Sequence, residues 1–452
     1  MLNEIISKHN LNEKQSKFLN LANQKKNIFL FGKAGTGKSH AVKALKEFMG
    51  VKLAITASTG IAALNINGVT LHSYIGVGKM LSPIDYTIKQ IFKNQELFEK
   101  IQRIQCILID EISMFSNKPF IYLDAVLRKV KNDNRVCGGV QIIAVGDYMQ
   151  LPYVDNVKQN QFDKSGIFQS PAYKSEIWQN LDFQPVCLNE IMRQKGDNTF
   201  IEDLNYARNG LYSPSLYANR EKRALSQEKY DKSNLDHIII TSENATVNKI
   251  NEFKYNQIGG KEFTYLAHVI KGDRNAEYAC GQFERVKPEI RLKIGTQVIV
   301  EQNINIDKGL VNGTKGVIVD FNNEMPLMKY GKDELHCFEP YDFKIRHYSE
   351  SLKKNEEVLH LKQLPLSLSY AITVNRSQGL TFDNVIVNIG NEGLFHKGKI
   401  YTAISRCKSY NGLLFMNFPN RKKNNNGYHF EIDSEAKEFL EEQEQLCNSN
   451  SL

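Results

Sequence analysis

The sequence lacks any hydrophobic run long enough to cross a membrane. Nowhere in its 452 residues is there a stretch close to the ~18 consecutive apolar residues that a spanning helix needs. Residues 1–10 also lack the apolar segment of a secretory signal peptide. We therefore expect no membrane partner. We expect a cytoplasmic, nucleoid-associated location if the source is bacterial, and a nuclear or mitochondrial one if it is eukaryotic.

Paired cysteines are missing as well. The seven cysteines are widely spaced, with no Cys-x-x-Cys pair and none near a histidine at zinc spacing. An odd count at such spacing indicates reduced thiols. The pattern argues against a zinc module and against a disulfide framework.

A strong charge of either sign is also absent. Lys and Arg number 58 against 50 Asp and Glu, so the formal net charge is +8. This excess fits a local basic groove, or simply a solvated surface, better than a wholly basic nucleic-acid coat. With 41% hydrophobic and 24% charged residues, the composition is that of a soluble globular protein. The length allows roughly two to four domains.

Short apolar runs alternate with helical stretches, which indicates an α/β fold with parallel sheets. The runs predict buried strands at residues 27–31, 52–56, 106–109, 140–145, 237–241, 368–373, 385–387 and 413–416. Helices are predicted at residues 38–49, 60–65, 202–208 and 434–446. Between about residues 285 and 360 the runs are typical of short antiparallel strands, with Asn312-Gly313 as a turn.

This pattern divides the chain into two α/β domains, each with an insertion. The first domain comprises residues 1–64 and 104–184, and a small insertion at residues 65–103 interrupts it. The second comprises residues 185–284 and 361–452, and a β insertion at residues 285–360 interrupts it.

A phosphate-binding loop follows the first predicted strand. The segment Gly-Lys-Ala-Gly-Thr-Gly-Lys-Ser lies between an apolar strand and a helix, where a P-loop must lie. Its glycines let backbone amides approach phosphate oxygens, Lys38 supplies a positive charge, and Ser39 offers a hydroxyl to Mg²⁺. The residues predicted to bind the nucleotide here are Gly32, Ala34, Gly35, Thr36, Gly37, Lys38 and Ser39.

An acidic pair, Asp110-Glu111, directly follows the apolar run at residues 106–109. A carboxylate at such a strand end can hold Mg²⁺ through water, so Asp110 and Ser39 are the predicted metal ligands. The adjacent Glu111 can orient the attacking water and accept its proton. Together with the P-loop, the pair predicts a hydrolase that uses ATP and Mg²⁺, although kinases and AAA-type ATPases carry both motifs too.

Three further polar residues restrict the class of ATP hydrolase to which the sequence can belong. Gln150, after the next predicted strand, is an amide that could contact the γ-phosphate and couple it to a nucleic-acid groove. Arg193 and Arg406 lie near the start and the end of the second predicted domain. A bidentate, always-charged guanidinium suits the charge that develops on a γ-phosphoryl group. We therefore predict catalytic roles for all three.

The surroundings of these residues resemble known helicase motifs. The segment Val-Asn-Arg-Ser-Gln-Gly-Leu-Thr at residues 374–381 looks like motif V of superfamily 1 helicases, and Ala-Ile-Ser-Arg at residues 403–406 looks like motif VI. Residues 56–63 and 68–76 resemble motifs Ia and Ib of Pif1-like helicases, and residues 122–152, 292–298 and 310–317 resemble further segments of that family. The resemblance runs from about residue 11 to residue 414.

The resemblance implies a fold and an activity. The expected fold is two RecA-like P-loop NTPase domains, 1A and 2A, with a small 1B wedge at residues 65–103 and an SH3-like 2B insertion at residues 285–360. The expected activity is ATP-dependent translocation 5′ to 3′ on single-stranded DNA with unwinding of forked or tailed duplexes. Family members often act on forks, R-loops and G-quadruplexes, so roles in repair, recombination or telomere maintenance are expected. We expect a monomer in the free state.

The resemblance also implies roles for single residues. Gln15 matches the glutamine that reads adenine, Gly379 matches a position near the γ-phosphate, and Arg193 and Arg406 match the two arginine fingers. Short hydroxyl residues suit phosphate and sugar contacts, and His72 and Tyr74 either stack on bases or pack internally. The predicted nucleic-acid contacts are Thr59, Gly60, His72, Ser73, Tyr74, Thr241, Asn375 and Ser377.

The match to the family departs in motif V. Asn375 and Arg376 stand where the family usually has histidine and lysine, which puts that DNA contact in doubt. A RecD- or Dda-like helicase is one alternative to the Pif1-like prediction. A DNA-stimulated ATPase that remodels nucleoprotein with little unwinding is another. Motifs V and VI disfavour a kinase.

Overall fold

The structure is a computed structural model, and it describes residues 2–59, 62–63, 66–77, 80, 82–153, 170–192, 196–226, 229–230, 237–272, 274–281, 286–305, 308–349, 354–390, 396–418 and 430–449. The chain forms two compact units. The first unit is Met1–Leu235 together with Ser377–Leu452, and the second unit is Asp236–Arg376. Two predicted site residues, Gly60 and Arg193, lie outside the described residues, as does most of the helix predicted at residues 60–65.

Up to residue 230 the chain alternates between helices and strands. The helices are α1 (Leu2–Lys8), α2 (Glu13–Asn23), α3 (Lys38–Met49), α4 (Leu71–Tyr74), α5 (Ile84–Lys93), α6 (Gln95–Arg103), α7 (Asn117–Lys131), α8 (Glu176–Asn180), α9 (Asn198–Arg208) and α10 (Pro214–Lys222). The strands are β1 (Ile28–Gly32), β2 (Leu53–Ala57), β3 (Val69–Thr70), β4 (Cys106–Asp110), β5 (Gln141–Gly146) and β6 (Gln184–Leu188). The four strands predicted before residue 150 and the helix at residues 38–49 are confirmed, with ends that agree within one residue.

The strands of this part form one parallel sheet in the order β3-β2-β4-β5-β1-β6. Strands β1, β2 and β5 are buried along their whole length, as expected of a parallel sheet covered on both faces. Phe18 of α2 and Leu45 of α3 share one core with Leu30 of β1. Because parallel strands end at the same edge, the P-loop, Asp110 and the segment after β5 meet there.

Two strands of this sheet lie outside the limits predicted for the first domain. Strand β6 pairs in parallel with β1, whereas the second domain is predicted to begin at residue 185. Strand β3 pairs with β2, although it lies inside the insertion predicted at residues 65–103. The partner of a strand is set by tertiary packing rather than by its local pattern. The limits of the four predicted domains stay a prediction.

The second unit consists mainly of antiparallel strands. Its helices are α11 (Asn244–Asn256) and α12 (Ala276–Gly281). Its strands are β7 (Ile238–Thr241), β8 (Phe263–Leu266), β9 (His268–Lys271), β10 (Glu289–Leu292), β11 (Gln297–Val300), β12 (Lys315–Asn322), β13 (Met325–Tyr330), β14 (Glu334–Cys337), β15 (Tyr341–Ser349), β16 (Lys354–Gln363), β17 (Leu366–Leu368) and β18 (Ala371–Thr373).

The pairing in the second unit confirms the β character predicted for residues 285–360. Five strands form an antiparallel sheet in the order β14-β13-β12-β11-β17, and β16 pairs with both β15 and β9. The strand predicted at residues 368–373 is confirmed only for residues 371–373, which form β18, whereas residue 368 ends the separate strand β17. Strand β17 is antiparallel to β11, and β18 is parallel to β7.

The chain then passes through the short helix α13 (Val374–Ser377) and returns to the first unit. There it forms β19 (Val385–Asn388), α14 (Lys399–Ile404), β20 (Leu413–Phe415) and α15 (Ser434–Ser449), with β19 and β20 parallel. Helix α15 packs through Phe439, whose ring stacks on Tyr173 at 4.4 Å and contacts Phe29 of β1. No helix that the structure describes combines the length and the apolar character of a membrane span.

Candidate nucleotide-binding and catalytic site

The P-loop connects β1 to α3 and takes a backbone conformation that glycine permits. Gly35 and Gly37 have φ angles of 81° and 83°, in the left-handed region. Lys38 begins α3, and its Nζ donates to the carbonyls of Gly32 (2.6 Å) and Lys33 (2.9 Å). The ammonium group therefore lies across the loop whose amides are suited to bind phosphate.

Close packing requires glycine at two positions of this loop. A Cβ on Gly37 would lie 2.7 Å from Nε2 of Gln15, and a Cβ on Gly32 would lie 2.3 Å from the carbonyl oxygen of Leu188. A side chain at either position would push the loop away from α2 or β6. The loop is therefore a cradle of bare backbone, which is the form that accepts phosphate oxygens.

Gln15 contacts the P-loop from the first turn of α2. Its Nε2 donates to the carbonyl of Gly37 at 3.4 Å, and its Oε1 accepts the N–H of Asn12 at 3.2 Å. Asn12 in turn accepts the N–H of Gln15, which completes a capping box at the helix start. Gln15 thus joins the helix cap to the loop, and adenine recognition by this residue stays a prediction.

The acidic pair stands at the end of β4. Asp110 keeps part of its surface exposed, yet it is enclosed enough that burial raises its pKa to about 7. The neighbouring Glu111 carboxylate adds to this rise, and Lys38 opposes it. A carboxylate in such a position is stabilised in its charged form by a cation. Glu111 follows with a left-handed backbone, at a φ of 53°.

The carboxylate of Glu111 accepts a hydrogen bond from Gln378, a residue for which the sequence predicted no role. Nε2 of Gln378 donates to Oε2 of Glu111 at 3.0 Å and to Oγ of Ser113 at 3.4 Å. Gln378 belongs to the motif V segment, where it precedes Gly379, so its position in that segment was the one available indication. More than 260 residues separate the two partners.

Arg406 and Gln150 share one hydrogen bond. Arg406 is 2% exposed, and its Nη2 donates to Oε1 of Gln150 at 3.2 Å. Its Nε donates to the carbonyl of Thr402 at 2.9 Å, which holds the guanidinium against α14. The structure thus brings the predicted arginine finger and the predicted coupling amide into direct contact.

A buried network links the P-loop, the segment after β5 and α14. The hydroxyl of Tyr401 donates to Oδ2 of Asp147 at 3.0 Å and accepts the N–H of Ala34 at 2.8 Å. Arg208 forms an ion pair with Asp147 at 3.0 Å, with side chains 10% and 0% exposed. Burial raises the pKa of Asp147, but the charges of Arg208 and Lys38 outweigh it and the net shift is downward.

The sequence offered only a partial indication of this network. Asp147 lies inside a segment that resembles the Pif1-like family and follows directly after β5, and Tyr401 lies two residues before the motif VI segment. Nothing in the sequence pattern distinguishes Arg208 from a surface arginine at the end of a helix.

The P-loop, the acidic pair, Gln150 and Arg406 line a cavity of about 300 Å³ in the first unit. The predicted residues that line it are Ala34, Gly35, Thr36, Gly37, Lys38, Ser39, Asp110, Glu111, Gln150, Gly379 and Arg406. Met192, which was not predicted, also lines the cavity, and its N–H donates to the carbonyl of Gly35 at 2.7 Å. Gly32 and Gln15 contact the loop without lining the cavity.

The donor set fits Mg²⁺ together with a nucleotide. Ser39 and Asp110 line the same cavity, and hydroxyl and carboxylate oxygens are ligands that Mg²⁺ prefers. Within the described residues, no group of three or more His, Cys, Asp and Glu could hold a metal by itself. Phosphate oxygens and water would therefore have to complete the coordination shell, as is usual for Mg²⁺ at phosphate sites.

Three family models match successive parts of the chain. The PIF1-like helicase model matches residues 10–210, the model of the DNA helicase Pif1 2B domain matches residues 285–321, and the UvrD-like helicase C-terminal domain matches residues 368–413. The chain is similar to the Pif1-like helicase family along most of its length. The family resemblance carried by the sequence motifs is thereby confirmed.

Similar proteins support this assignment along most of the chain. An ATP-dependent DNA helicase PIF1 from Danio rerio is 31% identical over 91% of this chain, which spans 62% of that relative's length. The crystal structure of Pif1 helicase from Candida albicans has a TM-score of 0.80 at 26% identity, covering 96% of this chain and 99% of that one. A Pif1 helicase from Bacteroides in complex with ADP-AlF3 and single-stranded DNA has a TM-score of 0.79 at 27% identity, covering 96% and 97%. The predicted fold class, an α/β protein with RecA-like domains and a 2B insertion, is confirmed.

Two aromatic residues of the Pif1-like motif Ib segment are packed inside the first unit. The ring of His72 lies parallel to that of Phe115, with centroids 6.0 Å apart. Burial lowers the pKa of His72 to about 4, and nearby Lys118 adds to the shift. Tyr74 is 8% exposed, and Nζ of Lys100 lies 4.0 Å from its ring centroid. The sequence left base stacking and internal packing open for these two rings, and in this structure both rings are packed internally.

The other predicted nucleic-acid contacts differ in exposure. Ser73 is exposed, Thr59 and Asn375 are half-buried, and Thr241 and Ser377 are buried. Oγ1 of Thr59 accepts the N–H of Ala62 at 3.2 Å and so caps the following turn. Among these residues Ser73 can meet a DNA strand without rearrangement, whereas buried side chains would have to become exposed first.

Arg376 stands where motif V of Pif1-like helicases usually has lysine, and its contacts in the second unit explain this difference. Nη2 of Arg376 lies 2.9 Å from Oε1 of Glu301, with side chains 14% and 2% exposed. A buried charge of this kind depends on its partner, because an unpaired one is strongly destabilising. Arg376 thus has a structural role here, independent of any DNA contact.

Proposed function

We propose that this chain is an ATP-dependent DNA helicase that translocates 5′ to 3′ on single-stranded DNA and unwinds duplex DNA. The observation that carries the proposal is the cavity shared by the P-loop, Asp110, Glu111, Gln150 and Arg406. The family supports it, since relatives over most of the chain are named ATP-dependent DNA helicase PIF1.

Each residue of the cavity has a separate role in the proposed hydrolysis. The P-loop amides bind the phosphates, and Lys38 adds a positive charge beside them. Mg²⁺, held by Ser39 and Asp110, would neutralise part of the phosphate charge. Glu111 orients the attacking water and takes its proton. Arg406 stabilises the charge that develops on the transferring phosphoryl group.

The proposed substrate is the backbone of single-stranded DNA, continuous with a forked or tailed duplex. A solved relative from Bacteroides contains single-stranded DNA together with ADP-AlF3. Exposed hydroxyl groups such as that of Ser73 suit contacts to phosphate and sugar, which carry no base information. Affinity for a strand should therefore fall as salt rises. Action as a monomer and a nucleoid, nuclear or mitochondrial location belong to the same proposal.

Unwinding of two matched duplexes tests this function. One duplex carries a 5′ single-stranded tail and the other a 3′ tail of the same length and sequence. Unwinding of only the 5′-tailed duplex, absent in Lys38→Ala, is the expected result. Unwinding of only the 3′-tailed duplex would contradict the polarity, and a Lys38→Ala variant with full activity would contradict the P-loop assignment.

The main alternative is a translocase that remodels nucleoprotein without strong unwinding. Its distinguishing result is ATP hydrolysis stimulated by single strands while neither duplex opens. Hydrolysis that single strands do not stimulate would contradict both the helicase and the translocase.

A further inference from the structure

Gln378 holds the carboxylate of the proposed catalytic base. Its Nε2 donates to Oε2 of Glu111 at 3.0 Å, and the side chain is only 3% exposed. The bond occupies Oε2 and fixes the direction of the carboxylate, because the amide that donates it is itself held in the interior. While the bond persists, the carboxylate is not free to turn towards an attacking water.

The other end of the same amide is unsatisfied. Oε1 of Gln378 is buried and has no hydrogen-bond partner among the described residues. The orientation of the amide follows from its neighbours, because both groups near Nε2 are oxygens and a flipped amide would place Oε1 against the Glu111 carboxylate. A buried acceptor without a partner is costly. Buried polar atoms without a partner are rare in folded proteins, and a role in catalysis is one of the recognised explanations for them.

The backbone that carries Glu111 and Ile112 is closely packed against the end of β5. Glu111 has a left-handed backbone, and a Cβ on Gly146 would lie 2.9 Å from Cγ2 of Ile112 and 3.1 Å from its nitrogen. Strand β5 therefore abuts the segment that follows the acidic pair. Within the part of the chain that the structure describes, the hydrogen bond that the Glu111 carboxylate accepts comes from Gln378.

Gln378 also lies between a segment predicted to bind DNA and a residue that lines the nucleotide cavity. Helix α13, which contains the predicted DNA contacts Asn375 and Ser377, ends immediately before it. Gly379, immediately after it, lines the nucleotide cavity. A shift of α13 would therefore move the backbone that carries the Gln378 side chain.

We propose that Gln378 is a positioning residue that restrains Glu111 until a DNA strand engages the α13 segment. In this role the amide keeps hydrolysis slow in the absence of DNA, and its release from Glu111 frees the base. The inference rests on the proposed function, because it assumes that strand binding stimulates hydrolysis.

The test is the Gln378→Leu variant, which keeps the side-chain volume and removes the donor. ATP turnover is measured without DNA and with saturating oligo(dT). Turnover without DNA should rise about tenfold, the factor expected when one hydrogen bond to a charged group is lost. Turnover with oligo(dT) should stay near the wild-type rate, so the stimulation ratio falls about tenfold.

Two controls separate this effect from a structural one. Affinity for a fluorescent ADP analogue should match the wild type, because Gln378 does not line the cavity, and a thermal midpoint within a few degrees of the wild type shows that the variant is folded. The Ser113→Ala variant removes only the longer of the two contacts and should keep the wild-type ratio. If Gln378→Leu does not fold, Gln378→Ala takes its place.

Equal turnover without DNA in variant and wild type would overturn the proposal, and so would a parallel fall with and without DNA. The parallel fall would mean that Gln378 supports the productive position of Glu111. If oligo(dT) fails to stimulate the wild type, the proposed function is refuted instead, and the DNA-independent rates of the two proteins still decide whether Gln378 restrains Glu111.

Discussion

Replacing Tyr401 by phenylalanine tests the buried network behind the P-loop. The change removes one hydroxyl that accepts the N–H of Ala34 and donates to Asp147. Asp147 keeps the ion pair with Arg208 and the N–H of Met149. The N–H of Ala34, in a residue only 5% exposed, loses its acceptor.

The expected magnitude follows from that single unsatisfied donor. Leaving a buried N–H without an acceptor costs about 1–3 kcal/mol in the free energy of unfolding. For a unit of about 300 residues, an unfolding entropy of ~2.1 cal/mol/K per residue converts this loss into a midpoint lower by roughly 2–5 °C. The P-loop is directly affected, so affinity for ADP should fall as well.

The assay is thermal unfolding together with titration of a fluorescent ADP analogue, with Tyr148→Phe as the matched control. The Tyr148 hydroxyl is buried in the same segment after β5 and has no hydrogen-bond partner among the described residues. Its removal should therefore leave both the midpoint and the affinity near wild type. If Tyr401→Phe behaves like Tyr148→Phe in both measurements, the network does not support the P-loop and the reasoning is refuted.

Three other predictions concern the cavity itself. Glu111→Gln should bind ATP normally but release no phosphate, because an amide cannot take the proton from water; loss of ATP binding would show that the acid is structural. Arg406→Ala should lower kcat by ~10²-fold or more, the range for a lost transition-state charge contact, and an effect on thermal stability alone would count against the finger role. Burial raises the pKa of Asp110 to about 7, whereas the pKa of the unfolded state is about 4. Between these pH values the folded state binds a proton that the unfolded state does not. The free energy of unfolding of the metal-free protein should therefore fall as pH rises from about 4 to about 7. Asp110→Asn should remove that dependence when thermal midpoints are compared near pH 4 and pH 8, and parallel profiles in the two proteins would contradict the shift.

The nucleotide site was accessible to sequence reasoning because its physics is local. A P-loop needs a buried strand, a run of glycines and a helix start within a few residues, and Gly32 to Ser39 supplies all three. Asp110 was recognisable for the same reason, since a carboxylate directly after a buried strand must lie at the edge of the sheet. The structure places both in one cavity.

Contacts between distant segments were not accessible in this way. The sequence contained Gln378 and Asp147 inside recognisable motifs and Tyr401 just before motif VI, but it could not show which residues they contact. The strand predicted at residues 368–373 was too long for a related reason, since residue 368 belongs to β17, which pairs with β11, and residues 371–373 form β18, which pairs with β7. Pairing between segments far apart in the chain depends on the whole packed arrangement.

The sequence by itself therefore determined the chemistry that the chain can carry: a phosphate-binding loop, an acidic pair and candidate arginines, each defined by neighbours within a few residues. The tertiary structure alone decided how those parts are coupled. Gln378 bonds to Glu111, Tyr401 bridges Ala34 and Asp147, and Arg406 bonds to Gln150 across separations of more than 250 residues. The physical reason is that a hydrogen bond depends on distances of about 3 Å in space, which only the packed fold establishes.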